Sequence, residues 1–107
     1  MNEDKFKALI EDQKTVLGKI DAAYTQILYP ATREDGLRQL ESLRGQDKTI
    51  PVIIGYAHEL NFHDTHEKSE AEKAIQEYES AMMDGDFQFL QDHINKLNVM
   101  LKNNKLP

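Results

Sequence analysis

Apolar residues recur at spacings of three and four along most of this 107-residue chain, and a single short run has the β-branched density of a strand. A lone strand would leave its backbone N–H and C=O groups without partners. The spacing therefore predicts an all-α fold, an antiparallel helical bundle of four to five helices. Residues 3–28 carry the clearest period. Phe6, Leu9, Ile10, Leu17, Ile20, Tyr24, Ile27 and Leu28 share one stripe, while Glu3, Asp4, Glu11, Asp12, Lys19 and Asp21 fall off it. Pro30 ends this helix. Thr32 reads as the N-cap of a second helix, with Leu37, Leu40 and Leu43 as a narrow apolar edge and Gly45 as its stop. Gly36 inside that helix costs up to ~1 kcal/mol relative to alanine.

The exceptional run is Thr49–Tyr56, TIPVIIGY. Its proline lies near the start, where a helix tolerates one. A buried helix from Ile50 to Phe62 is expected, with Ile53, Tyr56, Ala57 and Leu60 inward. Asp64 or Thr65 reads as the start of the next element, and Ser69–Glu72 adds a capping-box pattern. Ala71, Ala74, Ile75, Tyr78, Ala81 and Met82 then form an amphipathic stripe. Asp84-Gly85-Asp86 breaks it, with Gly85 in the left-handed end position and Asp86 as a cap. Phe87, Leu90, Ile94, Leu97 and Leu101 give a last helix, and residues 103–107 read as a frayed tail. The whole, residues 1–107, reads as one domain.

With no cysteine, the chain has no disulfide, no thiolate zinc site and no cysteine nucleophile. A net charge of −6 and a pI of 5.1 argue against nucleic acid and against anionic lipid as partners. No apolar run approaches the ~20 residues that span a bilayer, and the amino terminus is charged from its third residue, so a cytoplasmic setting without membrane attachment is expected.

Three of the four histidines lie in GYAHELNFHDTHE, residues 55–67. A zinc-protease helix places histidines four apart on one face. His58 and His63 are five apart, about 140° around a helix, so the motif is missed by one residue. No histidine has a glutamate three positions before it, which removes the di-iron bundle pattern. A looser metal site on His63 and His66, with Asp64 beside them, is the alternative reading. His93, between Phe89 and Leu97 at helical spacing, reads as a partly buried helix histidine rather than a general base. The serines and threonines lack any nucleophile-elbow context and the glycines lack a phosphate-binding pattern, so no enzyme and no cofactor are expected. A small enzyme or ligand carrier would need a pocket between helices. Phe89 falls outside the inner face defined by Phe87 and Leu90. With Met83 and Tyr29 it is the candidate partner-binding patch, and a homodimer through the Phe89 side is one way to cover it.

The run EAEKAIQEYESAMMDGDFQFLQDHINKLNVML, within residues 69–103, resembles the C-terminal helical hairpin in the lid subdomain of the DnaK-type heat-shock chaperones, with an alanine- and glutamate-rich helix, a Gly-Asp break and a second amphipathic helix. The resemblance covers about a third of the chain. It implies a helical subdomain that closes over, or associates with, a peptide-binding unit. Ala74–Ala81 also looks like the second helix of a tetratricopeptide repeat, with no partner repeat in the sequence. The function expected from these readings is a small acidic protein–protein interaction module: an adaptor, a regulator or a chaperone-associated domain whose partner is another protein.

Overall fold

The computed structural model describes residues 16–103. They form five helices and, among the described residues, no strand: α1 Val16–Ile27, α2 Pro30–Ser42, α3 Ile50–Thr65, α4 Lys68–Asp84 and α5 Phe89–Asn103. The all-α reading holds. The amino-terminal half of the expected first helix, residues 3–15, and most of the expected frayed tail, residues 104–107, lie outside the described residues.

Neighbours in sequence are neighbours in space. The most extensive contacts join α3 to α4 and α1 to α2, with α5 on α4 and α2 on α3. Two apolar cores result. The first gathers Ile20, Ala23 and Ile27 of α1, Leu37 and Leu40 of α2, Leu43 just beyond it, and Ile50, Ile54 and Ala57 of α3. The second gathers Phe62 of α3, Ala71, Ala74, Tyr78 and Ala81 of α4, and Leu90, Ile94 and Leu97 of α5. Helix α3 belongs to both, which is why its sequence is apolar nearly all round and shows no single stripe. The TIPVIIGY run is therefore a shared central helix. Ile54 rather than Ile53 takes the inward position; Ile53, Tyr56 and Leu60 are partly covered.

Two glycines set the closest helix approaches. A Cβ on Gly36 would lie 2.7 Å from both the Ala23 carbonyl oxygen and Ile27 Cγ2, so α2 touches α1 backbone to backbone there. A Cβ on Gly55 would lie 2.6 Å from the Tyr78 ring, so α3 admits that ring at its surface. The propensity penalty of Gly36 is offset by contact that alanine would block.

The helix ends depart from the expected boundaries in four places. Helix α2 starts at Pro30, with Tyr29 in the extended conformation that proline imposes on its predecessor. Thr32 is not its N-cap: its hydroxyl donates backward to the Gln26 carbonyl, 2.6 Å away, closing the last turn of α1 instead. Asp64 and Thr65 do not start α4 but finish α3. His66 follows in the left-handed conformation (φ 62°), its N–H bonded to the Phe62 carbonyl at 2.8 Å, and Glu67, in extended conformation, precedes α4 at its N-cap. Gly85 is extended rather than left-handed, and α5 begins at Phe89, two residues later than its apolar pattern. At the start of α3, Asp47 accepts both the N–H of Thr49 (3.0 Å) and its hydroxyl, which holds the Asp47 carboxyl below the usual carboxylate range.

Candidate functional site

Two polar networks cross the helix interfaces, and one of them backs an apolar cleft. The structural one centres on Arg33, which is 5% exposed. Its Nε donates to the Ile27 carbonyl at 2.7 Å, an end-of-helix acceptor with no partner within α1. Its other guanidinium branch donates to Asn61 Oδ1 (3.0 Å) and Asp64 Oδ2 (2.8 Å) on α3. Asn61 in turn donates to Glu70 Oε1 on α4 at 3.0 Å, and His58 Nδ1 lies 2.8 Å from Glu70 Oε2. One chain of bonds thus joins α1, α2, α3 and α4. Further out, Arg44 clamps Glu41 and Glu77, which pulls the Glu41 carboxyl below its usual range.

The second network centres on Glu59, a carboxylate 6% exposed within the second half of α3. Its Oε1 accepts the Tyr78 hydroxyl at 2.7 Å and lies 3.0 Å from His93 Nδ1 on α5. Its Oε2 lies 3.8 Å from His63 Nε2 one turn further along α3. Burial, followed by the bond to Glu59, pushes the Tyr78 phenol well above its ordinary range. His93 Nδ1 faces this carboxylate, so the neutral imidazole that donates to it has Nε2 as its acceptor. The His93 side chain is 37% exposed.

It reaches a cleft of about 280 Å³ lined by Tyr24 of α1, Val52, Ile53 and Tyr56 of α3, Tyr78 of α4, and Phe89, Leu90 and His93 of α5. Tyr24 and Tyr56 stack across α1 and α3, with centroids 6.4 Å apart and planes 19° apart. Phe89 meets His93 edge to face at 6.3 Å, and Tyr78 meets it at 5.7 Å. Tyr78 and Leu90, each 1% exposed, form the floor. Among the described residues no lysine, arginine, aspartate, glutamate, serine or threonine lines the cleft. The described lining can bury an apolar group and offer it an imidazole acceptor.

Phe89, Met83 and Tyr29, expected to face outward, are 57%, 89% and 62% exposed. The cleft takes Phe89 together with Tyr24 and Tyr56; Met83, near the end of α4, and Tyr29, at the α1–α2 corner, do not line it. His63 and His66 are not on one regular helix: His63 sits in the last turn of α3 and His66 in its left-handed cap. Among the described residues no group of three histidine, aspartate or glutamate side chains is placed to hold a metal ion. Sequence reasoning missed Glu59 and the pairing of His93 with it. A signal was present: Glu59 lies four residues after Gly55 and three before Phe62, on a stripe that is otherwise buried.

No protein-family model, no curated protein and no solved structure matches this chain. Among the described residues no helix is long and apolar enough to cross a membrane.

Proposed function

We propose that this chain is a protein-interaction module of cytoplasmic setting, and that its docking surface is the cleft between α1, α3 and α5. The observation that carries this reading is the cleft itself, an apolar recess with aromatic walls from three helices and Phe89 standing 57% exposed at its rim. Aromatic side chains that are neither core nor solvated by charge mark the centres of protein interfaces. Its volume accommodates one or two side chains, the size of an interface anchor rather than of a large cofactor.

A photo-crosslinking residue at position 89, compared with one at Val99, tests it in cells. Val99 is 54% exposed on the same helix but does not line the cleft. A single adduct of defined mass from position 89, lost when Tyr24→Ala and Tyr56→Ala open the cleft wall, is the expected result. Adducts from position 99 alone, or adducts indifferent to the tyrosines, would remove the cleft from the interface. An adduct with a second copy of the chain would replace the heterologous partner by a homodimer.

A further inference from the structure

The chemistry of the cleft names what enters it. Four features bear on this. The walls are π faces: Tyr24, Tyr56, Tyr78 and Phe89 all contribute rings, and ring faces attract cations. Among the described residues the polar side chains of the lining are the three tyrosines and His93, and His93, with Nδ1 engaged by Glu59 at 3.0 Å, has Nε2 left as an acceptor. The charge nearest the wall is the buried Glu59 carboxylate, touched by both Tyr78 and His93 of the lining. Among the described residues no lysine or arginine lines the cleft to receive an anion, and the chain as a whole carries −6. On α5, Asp92 and Lys96 flank His93 in a separate shallow groove, where their opposite charges offset one another. On α3, His63 is 3.8 Å from the second Glu59 oxygen and does not line the cleft.

We infer that the cleft is a receptor for a cationic, planar side chain of the partner protein, an arginine, stacked between the tyrosine pair and the Phe89–His93 wall and donating an N–H to His93 Nε2. This rests on the cleft being the docking surface and specifies what docks there. Arginine fits better than lysine because its guanidinium is flat, weakly hydrated and able to stack while it donates. Glu59 acts as the positioning residue. It does not touch the ligand; it fixes the tautomer that makes His93 an acceptor and supplies the compensating charge from behind the wall.

Three small probes of one shape isolate the charge: benzamidinium, neutral benzamide and benzoate. Titration of each into the full chain is followed by the ring signals of His93, Phe89 and Tyr24 in NMR spectra. Benzamidinium should saturate these signals with an affinity about tenfold above that of benzamide, the order expected of a desolvated cation–π contact, and benzoate should be weakest. Glu59→Gln, whose folding is checked by circular dichroism, should bring benzamidinium down to the affinity of benzamide, because it removes the charge behind the wall while its amide oxygen still accepts from Tyr78 and His93. If Glu59→Gln does not fold, His93→Phe keeps the aromatic wall, removes the acceptor, and should produce the same loss. Equal binding of benzamide and benzamidinium, or cation preference untouched by either substitution, would overturn the inference while leaving the crosslinking result at position 89 to stand or fall by itself. Absence of any saturable shift at these three rings would also overturn it.

Discussion

Replacing Arg33 by methionine tests the claim that one buried guanidinium ties the amino-terminal helix pair to the central pair. Three contacts disappear, and the structure weights them differently. The bond from Nε to the Ile27 carbonyl is buried and charge-assisted, and its loss leaves a helix-end carbonyl unsatisfied, at a cost of roughly 1.5–3 kcal/mol. The bond to Asn61 crosses from α2 to α3 at a half-buried site, where water replaces part of it, so about 0.5–1.5 kcal/mol is expected there. The ion pair to Asp64 is 2.8 Å long, but the Asp64 side chain is 50% exposed, which holds its contribution to about 0.2–1 kcal/mol. Methionine restores much of the apolar stem, so packing changes little. The total is about 4 kcal/mol, or roughly 15–25 °C in melting temperature for a domain of this size. Urea unfolding followed by circular dichroism measures it, with Asp64→Asn as the companion that removes the surface pair alone and should cost under about 1 kcal/mol. If Arg33→Met and Asp64→Asn lose the same small amount with unchanged denaturant slopes, the buried bonds to Ile27 and Asn61 contribute nothing and the reasoning fails.

Three further outcomes follow from other contacts. Gly36→Ala should destabilise by about 1–3 kcal/mol in thermal unfolding even though alanine is worth ~1 kcal/mol in a free helix, because its Cβ would meet the Ala23 carbonyl oxygen at 2.7 Å; a stabilised variant would refute the backbone contact of α1 and α2. His66→Gly should stabilise by about 1 kcal/mol, since His66 holds φ at 62° where glycine carries no steric penalty, and a loss of stability on urea unfolding would mean the imidazole makes a contact that outweighs this strain. Tyr78 is held above the ordinary phenol range, chiefly by burial, so it binds its proton more tightly folded than unfolded. The stability this gives is complete below about pH 10 and is lost as pH rises beyond it. Alkaline unfolding of the wild type should therefore release a phenolate absorbance step together with helix loss, and Tyr78→Phe, weaker by about 1–2 kcal/mol at neutral pH, should lack that step.

Much of the fold could be read from spacing because amphipathic stripes report burial directly. Ile20, Ala23 and Ile27, or Leu90, Ile94 and Leu97, face a core on one side only, and their period says so. The readings that failed did so where a residue serves an element other than its own. Thr32 has the composition of an N-cap, yet its hydroxyl closes the preceding helix, because Pro30 had already supplied the start of α2. Asp64 and Thr65 have the composition of a helix start, yet α3 runs through them; its true stop is a histidine in the left-handed conformation, a state that composition marks only for glycine and asparagine.

The site was less legible than the fold for the same physical reason. The aromatics of the cleft each looked like core or core rim within their own helices, and Phe89 alone was marked by falling off its stripe. What brings Tyr24, Tyr56 and Phe89 to one recess is that α1, α3 and α5 each turn an edge to the same side while α4 supplies the floor, an outcome of sequential helix packing that no single period encodes. Glu59 is the complementary case. A charge on a buried stripe is expensive unless its hydrogen bonds are satisfied, so its presence required donors from elsewhere in the fold. Tyr78 and His93 are those donors, at 2.7 and 3.0 Å, and both are walls of the cleft. The misfit in the apolar pattern of α3 thus points to the side chains that line the cleft.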